Sequence, residues 1–109
     1  MNRTFMFTSY FVKEWTRLGF TDDDQIRLEQ MLSKNPKLGD VIVGAGGFRK
    51  LRFAFEGRGK SGSARVIYLD VSETANIIFV DVYKKSEQGK LQKQKIVDLA
   101  KVSKLLKGE

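Results

Sequence analysis

The sequence has no cysteine, no histidine and a single proline in 109 residues. Without cysteine there are neither disulfides nor thiolate metal sites, as suits a reducing cytoplasm. Without histidine there is no imidazole acid or base, no Ser-His or Cys-His nucleophile, and none of the usual zinc or iron ligand sets. Long apolar runs are missing too: nothing approaches the ~20 residues needed to cross a bilayer. In "MNRTFMFTSYF" a basic residue precedes apolar ones, but Thr4, Thr8 and Ser9 interrupt them. The stretch therefore lacks the sustained apolar core of a signal peptide and reads as a first strand. Acidic residues are outnumbered, 13 against 20 Lys and Arg, for a net charge of +7. A small domain this basic most often serves a polyanion, with an acidic protein partner as the plainer alternative.

What is present points to an ordered core: 41% apolar residues, eight of the side chains being Phe. The length suits one domain over residues 1–109. "RTFMFTS" predicts a short strand with Phe5 and Phe7 on one face. "YFVKEWTRLG" places Phe11, Trp15 and Leu18 at helical spacing, with Gly19 as the stop. Thr21 precedes three aspartates at the positive end of a second helix, expected to reach Lys34 and bury Leu28, Met31 and Leu32. After it, "VIV", "LRFAF", "ARVIYLDV" and "NIIFVDVY" read as strands of an antiparallel sheet, with a hairpin turning at Ser72–Asn76. The tail "LQKQKIVDLAKVSKLL" returns to helical spacing through Ile96, Leu99, Ala100 and Leu106. The order is α+β: an antiparallel sheet flanked by two N-terminal helices and one C-terminal helix.

Two glycine motifs suggest nucleotide binding and fail on inspection. "AFEGRGKS" has Ala54 at the first glycine of a phosphate loop and leads into a strand, so the helix dipole would be missing. "GAGGFR" carries Arg49 where a dinucleotide fingerprint needs its third glycine. The glycines read better as turn-makers, and the cations as the functional groups. Lys50 and Arg52 share one strand face, with Leu51 and Phe53 opposite, toward the core. Arg65 shares a face with Ile67, a conflict between solvent and core that the sequence leaves open. Lys84 and Lys85 follow the last strand. Glu56 is the only acid from Gly44 to Leu69, whereas an ordinary solvated surface intersperses signs.

RNA carries its own nucleophile, the 2′-hydroxyl. A nuclease must orient that oxygen in line, take its proton, stabilise the added charge and help the 5′-oxygen leave. Arginine grips phosphate oxygens with a planar fork, and a lysine crowded by cations can act as a base. A tyrosine such as Tyr83 can stack on a base or move a proton. The composition is compatible with RNA cleavage without histidine.

The runs "NPKLGDVIVGAGGFRKLRFA", "GRGKSGSARVIY" and "IIFVDVYKK" resemble the RelE-type toxins of the RelE/ParE superfamily, in its HigB-like branch. The resemblance covers Phe5 to about Leu106. It implies a compact RelE-like fold and a ribosome-dependent mRNA endoribonuclease in the bacterial cytoplasm, with neither metal nor other cofactor. Implied partners are mRNA in the ribosomal A site, the ribosome with its 16S rRNA, and a cognate antitoxin that masks the site. Operator DNA would be reached only through the antitoxin, and no membrane is involved. The resemblance places the phosphate-binding arginine at Arg65, basic strand residues at Lys50 and Arg52, and the leaving-group cation at Lys85. Arg49, Arg58, Lys60, Tyr83 and Lys84 would contact RNA. The C-terminal catalytic tyrosine of the best-studied branch has no counterpart in "SEQGKLQ", and Ser63 replaces a common glycine, with little effect expected. Two alternatives stay open: a non-catalytic RNA- or ribosome-binding module, and a gyrase-targeting toxin of the same fold.

Overall fold

A computed structural model describes residues 2–54, 63–87 and 91–109. Strand β1 (Thr4–Phe7) leads into α1 (Ser9–Arg17) and α2 (Asp22–Lys34). Four strands follow, β2 (Asp40–Val41), β3 (Arg49–Ala54), β4 (Ser63–Val71) and β5 (Asn76–Lys84), and then α3 (Lys93–Leu106). The strands form one sheet in the order β1-β5-β4-β3-β2. All neighbours are antiparallel except β1, which pairs parallel with β5. The expected antiparallel sheet is thus mixed at one edge. The two N-terminal helices carry the chain from β1 across the sheet, a crossover that parallel pairing requires.

Local signals explain the helix boundaries. Thr8 caps α1 by accepting from the Phe11 amide, and Gly19 ends the turn with φ +87°. Thr21 and Asp24 form a reciprocal capping box at the start of α2. The β4–β5 hairpin turns through Ser72–Thr74 and a left-handed Ala75. "VIV" is shorter as a strand than the sequence suggests. Only Asp40–Val41 pairs with β3, and Val43 stands 87% exposed.

The sheet carries a core on each face. Against α1 and α2 it buries Leu51, Phe53, Ala64, Val66, Ile77, Phe79 and Val82. Phe5 and Phe7 both stack on Phe79, and Phe11, Trp15 and Phe20 extend the aromatic cluster to Phe53. Against α3 the sheet buries Ile67, Leu69, Val71, Ile78 and Tyr83 around Leu99, with Ile42, Ala45 and Phe48 at the side. Leu106 is 37% exposed, and the buried position one turn earlier belongs to Ser103. Its hydroxyl donates to the Gly46 carbonyl at 2.5 Å. Gly46 has φ +71°, and a Cβ there would lie 2.8 Å from Ser103 Cβ. This is why "GAGG" needs its glycine.

Candidate functional site

The strand register decides which cations meet. Arg52 faces Arg65 directly across β3 and β4, and Arg65 faces Tyr83 across β4 and β5. One step along, Lys50 faces Ile67, and Ile67 faces Asp81. Cross-strand partners share a face, so Lys50, Arg52, Arg65, Asp81 and Tyr83 all lie on the α3 side of the sheet. The conflict at Arg65 and Ile67 is resolved by the extent of α3. The helix covers Ile67, which is fully buried, but leaves Arg65 half-buried and Arg52 exposed. The result is a cationic ledge at the uncovered end of an otherwise buried face.

Ser63, at the start of β4, organises the ledge. Its Oγ accepts from Arg52 Nε at 3.2 Å and from Arg65 Nη1 at 2.9 Å. The serine expected to matter little holds two guanidiniums side by side. Neither arginine has a carboxylate partner among the described residues. Like charges directly opposite one another destabilise a sheet. An anion placed between the two guanidiniums would relieve that repulsion.

Sequence reasoning also passed over Asp81. Its carboxylate is 3% exposed and accepts from Lys95 Nζ of α3 at 2.8 Å. This ion pair ties α3 to β5 beside Tyr83. Burial, reinforced by Asp81, pushes the Tyr83 phenol above its ordinary value, against a weaker opposite pull from Arg65. Tyr83 is only 4% exposed. The ring expected to stack on a base is packed in the core, beside Arg65 across the β4–β5 pair.

Two other expectations change with the register. Arg49 faces Tyr68 on the α1/α2 side, and its Nη1 donates to the carbonyls of Gly39 (2.8 Å) and Lys37 (3.2 Å). Tyr68 completes that anchor, its hydroxyl donating to the Pro36 carbonyl and accepting from the Gly39 amide. Arg49 thus holds the loop before β2 and stands apart from the ledge. Lys84 faces Ala64, on the same far side. It lies near Glu87, which Arg17 of α1 binds at 3.0 Å. Period-two alternation makes Tyr83 and Lys84 diverge although they are adjacent in sequence. Lys85 is exposed in the turn that follows. Arg58 and Lys60 lie outside the described residues.

Beside Lys50 a cleft of about 360 Å³ opens between β2 and α3. Asp40 and Lys50 stand at its polar side, facing each other in register, and Val41, Val43, Leu91 and Ile96 form its walls. A second cleft of about 360 Å³ lies between α1 and α3, lined by Tyr10, Val80, Lys95, Leu99 and Val102 among others.

The chain is thus a mixed five-stranded sheet with two helices on one face, one on the other and a basic ledge at its end. No family model matches the chain. A free E. coli toxin RelE, in a double arginine-to-alanine variant, superposes with a TM-score of 0.64 at 18% identity, covering 94% of this chain and 97% of that one. A chain of the intact E. coli RelBE toxin–antitoxin complex superposes with a TM-score of 0.55 at 21% identity, covering 75% and 95% respectively. The chain has the RelE fold. Among the described residues no helix is long and apolar enough to cross a membrane.

Proposed function

We propose that this protein is the toxin of a type II toxin–antitoxin pair, a metal-independent endoribonuclease that cuts translated mRNA in the ribosomal A site. The observation that carries the reading is the opposed pair Arg52 and Arg65, held on Ser63 with no carboxylate partner among the described residues. A phosphodiester fits there. The two planar guanidiniums approach its non-bridging oxygens and gain charge-assisted hydrogen bonds as negative charge grows in the transition state. The 2′-oxygen attacks phosphorus, its proton passes to a base, and the 5′-oxygen leaves with a proton. In this reading Arg65 and Arg52 stabilise the phosphorane, Lys50 lies on the side of the 2′-hydroxyl, and Lys85 assists the departing oxygen. The basic ledge also suits the rRNA that would surround it. A cognate antitoxin, as in the RelBE complex, would mask the ledge until released, and the setting is the bacterial cytoplasm.

Induction of the gene in growing cells, followed by mapping of transcript 5′ ends, tests the reading. Cuts inside translated codons that vanish in Arg65→Ala are expected. Growth arrest with intact transcripts would refute nuclease action and favour a non-catalytic ribosome binder or a gyrase-directed toxin.

A further inference from the structure

Ser63 links the two guanidiniums and still has hydrogen-bonding capacity to spare. A serine hydroxyl has two acceptor lone pairs and one O–H donor. The lone pairs are taken by Arg52 Nε at 3.2 Å and Arg65 Nη1 at 2.9 Å. The hydroxyl hydrogen itself has no acceptor among the described residues. The register supplies a reason. Ser63 faces Ala54 across the β3–β4 pair, and alanine brings no polar side chain. Ser63 is half-buried and Ala54 exposed, so the hydroxyl stands at the open end of the ledge.

The two arginines also fix where that hydrogen points. With both lone pairs committed, the O–H takes the remaining corner of the oxygen, at a tetrahedral angle to each guanidinium. Charge acts in the same sense, holding the oxygen toward the cations and the hydrogen away from them. Arg52 and Arg65 each commit one N–H group to Ser63 and keep the others for a ligand. An anion that bridges the two guanidiniums must come close to Oγ, because Oγ already lies within hydrogen-bond distance of both.

We propose that Ser63 is a catalytic residue, the third donor of the phosphate site. Its hydroxyl donates to a non-bridging oxygen of the scissile phosphodiester while its lone pairs hold Arg52 and Arg65. This role rests on the nuclease reading above and adds a neutral donor to its two cations. The proton stays on Oγ throughout, so the bonds made and broken are those of that reaction. A donor aimed before the substrate arrives needs no reorganisation as charge grows on the oxygen. An aspartate at this position would neutralise the arginines, and an alanine would leave them unlinked. A hydroxyl accepts from the pair and still donates to the ligand.

A crystal structure of the full chain with inorganic phosphate tests the geometry, and cleavage of mRNA on programmed ribosomes tests the chemistry. The phosphate should bind at Arg52 and Arg65 with one oxygen about 2.5–3.0 Å from Ser63 Oγ. Ser63→Ala should cut roughly 100-fold more slowly at saturation, as on the loss of one oxyanion donor. Ser63→Thr, which keeps the hydroxyl and suits a strand, should recover most of that loss. The phosphate structure needs no variant, so it decides the point whatever a substitution does to folding. Phosphate held by the guanidiniums beyond reach of Oγ would overturn the proposal and reduce Ser63 to a positioning residue. Ser63→Ala cutting at the wild-type rate, or Ser63→Thr as slow as Ser63→Ala, would overturn it too. Phosphate seated on all three groups of a protein that never cuts RNA would overturn the nuclease reading, and the catalytic role with it, while leaving a three-donor anion site.

Discussion

Arg52 and Arg65 should repel each other measurably, and a double-mutant cycle can show it. Like charges directly opposite in a sheet cost roughly 0.2–1 kcal/mol relative to alanine pairs. Each guanidinium also donates to Ser63 Oγ, a bond worth roughly 0.5–1.5 kcal/mol and less where water competes. The two contributions nearly offset, so Arg65→Ala should change stability by less than about 1 kcal/mol. The cycle with Arg52→Ala isolates the repulsion, which should be about 0.5 kcal/mol and should shrink at high salt. Urea unfolding of the four proteins at two ionic strengths gives the numbers. Inorganic phosphate supplies the second arm: at 100 times its dissociation constant it stabilises the wild type by roughly 2.7 kcal/mol and Arg65→Ala much less. A loss above 2 kcal/mol in Arg65→Ala, or an attractive coupling, would show that the pair is structural and refute the anion-site argument.

Three further outcomes follow from the geometry. Leu99, 4% exposed at the centre of the α3 core, should cost roughly 2–4 kcal/mol when replaced by alanine, read as a lowered urea midpoint. Lys84→Ala should leave growth arrest and transcript cutting near wild type while Arg65→Ala abolishes both, because Lys84 lies on the far face. For Asp24, burial alone would raise the carboxyl, but the Thr21 hydrogen bonds and Arg27 outweigh it and hold it below its ordinary 3.8. A lowered native value means that this stabilisation is complete above the ordinary value and fades as pH falls through the native one. Asp24→Asn should therefore lie below wild type at neutral pH and converge with it in acid-denaturation curves below about pH 4.

Much of the fold was legible because its signals are local. The capping box at Thr21, the stop at Gly19 and the period-two faces of β3 and β4 each depend on a few neighbouring residues. What stayed hidden depends on distant pairing. Nothing in "TFMF" says that it will lie parallel to residues 76–79. The same holds for the site. Lys50, Arg52 and Arg65 could be grouped from alternation once their strands were paired. Lys84 could not be placed, because a bulge between Ile67 and Tyr68 shifts the β4–β5 register just before it. Arg49 looked like one more cation in a basic run, and only the α2–β2 loop, brought alongside by the sheet, shows it clamping two carbonyls. Ser63 carries no motif. Its significance lies in the two side chains that converge on it.

The division of labour between the two sheet faces explains how a domain this small tolerates two opposed guanidiniums with no carboxylate partner among the described residues. One face is covered by two helices and seven aromatic rings that interlock from Phe5 to Phe53, a packing that contributes far more than the repulsion removes. The other face is covered only as far as Ile67 by α3, which is tied down by the Lys95–Asp81 bond and the Ser103 contact to Gly46. A longer or differently angled α3 would bury Arg65 and force it to find a carboxylate, since an unpaired buried charge is prohibitive. Site and stability are thus set by one variable, the point along β4 at which α3 stops covering the sheet. Moving that point one strand pair toward Arg65 would improve the core and close the ledge.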